Sequence, residues 1–518
     1  LPIFDHLTGS ANWRADVKVK KGAADIVVES TLAGLLSSLP PPFNKSATET
    51  LPLRFEKGSV PFVGGRKGET RDRIQFSLGK VANAQLLRRR DAGGKLLPER
   101  GMLAVGMPLT LPEQGLTVAV SAPEVDAEFW RDALTPATNT AAATTDGSKE
   151  FLPDQIALRT PSLKIFGRPF HEVDLRAKAA GSVWQVQLAS REANGELQFD
   201  SFGKGSLRAR LKNLAAPAPQ RGNPQEPLPA STLDDLPALD VVAENFSVGE
   251  KKLGRLEVVA RNEASNWRIE KLSVVNPDGR LDGSGIWRTN PTRRFEMDFN
   301  LTTESAGALL DRLGYAGTLK RGSATLSGKL NWAGIPTSLD YPTLGGSMSV
   351  EVARGQFAKM DPGAAGKLLG LISLQGLPRR ISLDFQDVFS DGFAFDSIAG
   401  KMTVKAGVMH TDRLQIDGPS ARVVMRGDVD LEHETTKLVV NIQPELGGTA
   451  ALGVALINPI AGAATLLAHK ILQNPLNQVF SFDYGISGKW EDPKVEKLST
   501  LRLDAQAVTG GEKRESAQ

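Results

Sequence analysis

The chain has 518 residues and no cysteine, which excludes disulfide bonds, thiolate metal sites and a cysteine nucleophile. Its 62 lysine and arginine residues nearly balance 59 aspartate and glutamate residues, and their even mixing excludes the clustered basic face of a nucleic-acid-binding protein. The sequence starts at Leu1 with neither a methionine nor a signal peptide nor a membrane-spanning apolar stretch. We therefore expect it to be part of a longer protein.

The first segment, residues 1–134, is predicted to be rich in β-strands. Apolar and polar side chains alternate from Ala11 to Lys20, and this period of two is typical of a strand with one apolar and one wet face. Residues 122–134 change to a helical rhythm and predict one short helix. The arginine run 88–90 is interpreted as the solvated face of an edge strand.

Two polar stretches interrupt the strand signals. Residues 135–150 are of low complexity and predict a loop. Strand signals return over 151–214, and the proline-rich residues 215–237 then predict a linker. This second stretch is the best domain boundary that the sequence offers.

Closely spaced strands are predicted over 238–446, with Gly, Asn, Asp and Pro between them as hairpin turns require. One helix should interrupt them, with Thr303 as N-cap and Gly314 as C-cap. A closing strand over 475–500 and a disordered tail over 501–518 complete the chain. The predicted fold is therefore mainly β, with a few short helices. Because open sheets rarely exceed about 10 strands, the antiparallel-rich sheet should curl along its length, into a long trough or several stacked sandwiches.

Residues 447–474 are apolar on nearly all sides and predict two helices that are broken near Asn458-Pro459. Three placements are open: the helices cap the end of the β core, lie in or against a membrane, or span it. For the second placement the predicted membrane contacts are Leu452, Leu456, Ile460, Leu467 and Ile471.

The sequence gives no positive case for catalysis. The five histidines never fall at ligand spacing, and neither a phosphate-binding loop, a nucleophile elbow nor an EF-hand pattern is complete. We therefore expect a protein without enzymatic activity, cofactor or metal ion.

Several long motifs carry a family resemblance. GSGIWR, TTESAGALLDRLGYAGTLKRGSATLSGKLNWAG, LLGLISLQGLPRRISLDFQDVFSDGFAFDSIAG and DYGISGKWEDPKVEKL resemble the C-terminal region of the YhdP family of AsmA-like proteins. LAGLLSSLPPPFNK, near the start, resembles a more N-terminal part of that family. The resemblance covers most of residues 1–500 and identifies 1–134 and 238–446 as AsmA-like.

The resemblance implies a periplasmic protein of the bacterial cell envelope, anchored in the inner membrane by an N-terminal segment that this chain lacks. It also implies a curled sheet whose hydrophobic groove moves phospholipid between the inner and outer membranes, with no catalytic residue. The implied partners are phospholipid acyl chains, the membrane surface and membrane proteins at either end, but no nucleic acid. From strand parity, the side chains predicted to line the groove are Val423, Met425, Val429, Leu431, Leu438, Val440, Ile442, Phe482, Tyr484 and Ile486.

Two other classes of protein fit the strand pattern. In a structural or adhesive extracellular protein, the same apolar faces would close into dry sandwiches. A β-helical polysaccharide enzyme fits less well, because no cluster of acidic and aromatic residues is visible. A continuous open groove favours lipid transfer, whereas filled cores favour the structural protein.

Overall fold

The computed structural model divides the chain into two compact units, Leu1–Glu250 (unit 1) and Lys251–Gln518 (unit 2). The segment boundaries predicted from composition stay a prediction. The structure describes residues 2–20, 23–61, 69–134, 152–165, 167–217, 236–263, 266–290, 292–336, 338–357, 393–444, 482–490 and 492–499.

Unit 1 consists almost entirely of strands in its described part. They are β1 (Leu7–Gly9), β2 (Trp13–Lys20), β3 (Ala23–Ser30), β4 (Leu35–Ser37), β5 (Leu53–Val60), β6 (Thr70–Leu78), β7 (Ala82–Arg90), β8 (Leu96–Val105), β9 (Gly115–Ser121), β10 (Glu124–Asp126), β11 (Gln155–Ile165), β12 (Arg168–Ala180), β13 (Val183–Ala189), β14 (Ala193–Asp200), β15 (Ser206–Ala216) and β16 (Ala238–Val248). A 3₁₀ helix, Pro2–His6, precedes β1, and helix α1, Ala127–Leu134, follows β10.

The sheet of unit 1 is mixed. Pairing is antiparallel from β2 through β3, β5, β6 and β7 to β8. It is parallel from β8 to β9 and from β9 to β11, antiparallel again as far as β15, and parallel from β15 to β16. The short β10 continues the parallel pairing along β11, while β1 and β4 form a separate antiparallel ladder.

Unit 2 is also built from strands. They are β17 (Lys251–Glu263), β18 (Asn266–Asn276), β19 (Gly279–Arg288), β20 (Arg294–Thr303), β21 (Leu319–Ala333), β22 (Gly345–Phe357), β23 (Ala394–Lys405), β24 (Val408–Asp417), β25 (Ala421–Asp430), β26 (Thr435–Pro444), β27 (Phe482–Lys489) and β28 (Asp492–Ser499). Helix α2, Ala306–Arg312, lies between β20 and β21, and a 3₁₀ turn, Tyr341–Thr343, precedes β22.

Every strand of unit 2 pairs antiparallel with the strand that follows it, from β17 to β28. Tight turns make this meander possible. Between β23 and β24, Ala406 and Gly407 both have positive φ, at 50° and 76°, which is the backbone twist of a two-residue hairpin turn. The prediction of a mainly β, sheet-forming chain is confirmed.

Contacts between aromatic rings hold helix α1 against the first residues of the chain. The rings of Phe129 and Trp130 lie 5.6 Å apart, and they contact His6 at 5.0 Å and Phe43 at 5.4 Å respectively. The helix predicted over 122–134 is therefore present, although it begins only at Ala127 because β10 occupies the residues before it.

Helix α2 begins later than predicted. Its N-cap is Ser305, and Thr303 is the last residue of β20, where its hydroxyl accepts a hydrogen bond from the Ser305 N–H at 3.0 Å. The predicted N-cap was therefore wrong. Gly314 follows the C-cap Leu313 with a φ of +89°, the conformation that commonly ends a helix.

Among the described residues, no helix combines the length and the apolar composition that crossing a membrane needs. The apolar helix pair predicted over 447–474, with its five predicted membrane contacts, lies outside the described residues.

Candidate functional site

One face of the unit 2 sheet carries a continuous row of apolar residues, each paired directly with the next across the strands from β17 to β27. We call it row A. It consists of Leu256, Val274, Leu281, Leu301, Leu326, Val350, Gly400, Leu414, Met425, Val440 and Tyr484. Directly paired side chains lie about 4.5–5.5 Å apart, so row A forms an apolar strip across the sheet. Gly400 has no side chain, and the Leu414 side chain occupies the space beside it, since a Cβ added at Gly400 would lie 2.5 Å from Leu414 Cδ1.

A second row, row B, lies beside row A on the same face, because its members are two residues away along each strand. Row B consists of Thr303, Ala324, Val352, Ile398, Ile416, Val423, Ile442 and Phe482. Both rows together make this face apolar from β21 to β26, two side chains wide except at Gly400, which has no side chain.

The residues predicted to line a groove fall at the β25–β27 end of this face. Val423, Met425, Val440, Ile442 and Tyr484 belong to rows A and B and are buried. Leu438 and Ile486 pair with each other, and Val429 pairs with Thr436. Leu431 follows β25 and is half-buried, and Phe482 is described by its backbone pairing with Ile442. Contact of these residues with lipid stays a prediction.

The solvent exposure of row A changes along the sheet. Val274, Leu281, Leu301, Leu326 and Val350, on β18–β22, are half-buried. The members on β24–β27 are at most 5% exposed. The β18–β22 part of row A is therefore partly exposed, whereas the β24–β27 part is buried.

A cavity of about 320 Å³ opens on this face beneath helix α2. This volume is at the lower end of the range for small-molecule pockets, roughly 300–1,000 Å³. The sheet contributes residues of rows A and B to its lining, and the helix side contributes Leu309, Leu310 and Leu313.

Both threonine hydroxyl groups in the lining of this cavity already donate hydrogen bonds to the backbone. Thr303 donates its hydroxyl hydrogen bond to the Asp278 carbonyl, and Thr318 donates to the Tyr315 carbonyl at 2.9 Å. A mainly apolar cavity of this kind favours hydrocarbon over water, because water would find few hydrogen-bond partners in it.

Two contacts hold α2 against the sheet. Gly307 allows the close approach, because a Cβ added there would lie 2.4 Å from the Leu319 carbonyl oxygen. At the other end of the helix, Arg312 Nε donates to Asp278 Oδ2 at 2.6 Å. The helix thus covers the cavity and is held close to β21.

Unit 1 carries an apolar row of its own, row C, which the sequence predictions did not single out. It consists of Ala15, Val28, Phe55, Phe76, Ala84, Leu103, Val118, Ile156, Ala177, Val186, Leu197, Ala209 and Val241. Most of its members are half-buried, and Leu103 is 37% exposed. Period-two alternation was the signal that could have found it, but the register across the parallel pairs was not readable.

On β24 and β25, the face opposite rows A and B carries charged side chains. Arg422 and Arg426 on β25 are exposed, and Arg422 donates to Asp417 at 2.6 Å. On the same face, His410 forms hydrogen bonds with two carboxylates, Asp428 and Asp412. These bonds raise the pKa of His410, and the bond with Asp428 has the larger effect. Within the described ranges, no group of histidine and acidic residues could hold a metal ion.

Comparisons with known proteins identify the family of the chain. The family model of the YhdP protein matches residues 1–495. The intermembrane phospholipid transporter YhdP of Escherichia coli (strain K12) is 27% identical over 513 residues, which cover 96% of this chain and 39% of that protein. No solved structure matches the chain. The match over nearly the whole sequence shows that the chain belongs to the YhdP family.

Proposed function

We propose that the chain transfers phospholipid between the two membranes of a bacterial cell envelope by carrying acyl chains along its apolar sheet faces. The observation that carries the proposal is the half-buried state of row A over β18–β22 and of row C over most of its length. The similar Escherichia coli protein is an intermembrane phospholipid transporter, and this supports both the ligand class and a periplasmic location.

The paired rows explain how a lipid could move without being trapped. An acyl chain that leaves an apolar surface for water loses about 0.8 kcal/mol per CH₂. A shift to the next strand, about 4.8 Å away, exchanges one aliphatic or aromatic contact for another. The rows therefore retain the lipid while offering many sites of similar free energy, and no chemical step is needed.

The structural or adhesive alternative expects both apolar faces to be filled. The residues of β24–β27 meet that expectation, but Val274, Leu301 and Val350 of row A do not. An open apolar face in water is costly unless it has a guest, and this favours lipid transfer.

A photo-crosslinking residue on one strand tests the proposal. Val186 belongs to row C, whereas its neighbour Gln187 lies on the opposite face and is exposed. We expect crosslinks to phospholipid from position 186 but not from 187, detected by mass spectrometry after irradiation in cells. Equal labelling at both positions, or none at 186, would contradict lipid transport along row C.

A further inference from the structure

Lys57 places a cation within the apolar face of unit 1. Beside row C runs a parallel row, row D, which consists of Val17, Ile26, Lys57, Ile74, Leu86, Gly101 and Leu116. Lys57 is half-buried between Ile26 and Ile74 and is the one charged member of row D.

Within the part of the chain that the structure describes, Lys57 is also unpaired. Asp72, on the same face of the neighbouring strand β6, accepts a bidentate pair of hydrogen bonds from Arg88 at 2.9 and 2.7 Å. Asp25 lies on the other face and accepts the Ser59 N–H at 2.8 Å. Among the described residues, Lys57 has neither a hydrogen bond nor an ion pair.

The Asp72–Arg88 pair shows that this part of the face supports charge. The two side chains are only 18% and 15% exposed, and β7 is paired on both sides, so the earlier interpretation of the run 88–90 as a solvated edge strand was wrong. Together with Lys57 the three groups carry a net charge of +1. The local field therefore favours an anion next to Lys57.

The apolar residues that follow along the strands complete the arrangement. From Lys57, the same face of β5 continues through Phe55 to Leu53, a distance of about 13 Å at 3.3 Å per residue. Phe76 and Leu78 of β6 lie beside them. A molecule with an anionic head and a hydrocarbon tail thus finds both of its parts matched within one pair of strands.

We infer that Lys57 binds the phosphate of a phospholipid whose acyl chains lie on row C. The inference rests on the proposed function and adds a headgroup site to it. An ammonium group on an apolar face can also extend its stem and keep its charge in water, which would give no phosphate preference. Binding measurements distinguish these two roles of Lys57.

The test uses the full chain and two fluorescent probes with identical acyl chains, phosphatidylethanolamine and diacylglycerol. The unaltered chain should bind the phosphate-bearing probe more tightly. Lys57→Met should weaken binding of that probe by roughly threefold to tenfold, as expected for the loss of a partly exposed charged hydrogen bond, and leave diacylglycerol binding unchanged. Lys57→Arg should restore the preference, and Lys18→Met, on the opposite face of β2, should not affect it.

The outcomes separate the two proposals. If the unaltered chain binds both probes equally, or if Lys57→Met changes neither, the headgroup site is overturned while acyl-chain binding stands. If neither probe binds, lipid transfer is overturned and the headgroup site with it. Displacement of the phosphate-bearing probe by millimolar inorganic phosphate would assign Lys57 to free phosphate and overturn its role toward lipid.

Discussion

Row C of unit 1 and the β24–β27 part of rows A and B are built from the same alternation of apolar and polar residues, yet they differ in exposure. Leu103 of row C is 37% exposed, whereas Val423 of row B is 0% exposed. Alternation therefore determines which face is apolar, but not whether protein already covers it. The open region is suited to a guest, and the buried region to holding the sheet together.

The largest expected effect comes from a charge placed in each region. Val440→Asp would put a carboxylate at a site that is 1% exposed, and we expect it to abolish folding, because an unpaired buried charge costs several kcal/mol. Val186→Asp, in half-buried row C, should leave the chain folded but depleted of lipid. Circular dichroism and mass spectrometry of copurified lipid measure the two effects, and a folded Val440→Asp variant would contradict the comparison.

Shortening a side chain to alanine should also destabilise the buried region more than the open one, by a smaller amount than a buried charge does. Met425→Ala removes a side chain that is 1% exposed, and we expect the free energy of unfolding to fall by about 2–5 kcal/mol. Leu103→Ala should cost about 1 kcal/mol, because much of its apolar surface is already in contact with solvent. Urea titrations measure both values, and similar losses would show that row C is packed as tightly as β25.

The cavity beneath α2 allows a test of whether acyl chains enter the partly exposed region of unit 2. Ala324→Phe should fill part of the 320 Å³ space and reduce lipid crosslinking from position 310 several-fold, with little change in stability. Thr325→Phe, which is exposed on the opposite face of β21, is the matched control. Undiminished crosslinking in Ala324→Phe would mean that acyl chains do not enter the cavity.

The smallest expected effect concerns the polar face. Because its aspartate partners raise the pKa of His410 above 6.5, its contribution to stability is complete below the unfolded-state value and is lost as the pH rises through the folded-state value. The urea midpoint should therefore fall slightly as the pH rises above about 6.5, and His410→Gln should remove that part of the pH dependence. An unchanged profile in the variant would exclude His410 as its source.

Much of the fold was readable because period two is a local property of each strand. This alternation predicted that Val423 and Ile442 lie on the same face of the sheet, and the strand register pairs them directly. It could not reveal that β8, β9 and β11 pair in parallel, because alternation carries no strand direction. Row C crosses those pairs and was missed for this reason.

Other differences arose from contacts that are distant in sequence. The arginine run 88–90 reads as solvated from its composition, and only pairing with β6 brings Arg88 to Asp72. Thr303 has the chemistry of an N-cap, but the ladder with β21 extends to it and moves the cap to Ser305. Tertiary pairing overrode local preference in both cases.

The meander of unit 2 has a consequence for how such a sheet can change in length. Each strand pairs with its neighbour in sequence, so the contacts are local, as in proteins built from stacked repeats. Gain or loss of a whole hairpin would lengthen or shorten row A by two positions and leave every other residue on its original face. Gain or loss of a single strand would reverse the direction of all later strands. The reach of the apolar strip is thus adjustable in units of one hairpin, about 9.6 Å across the sheet.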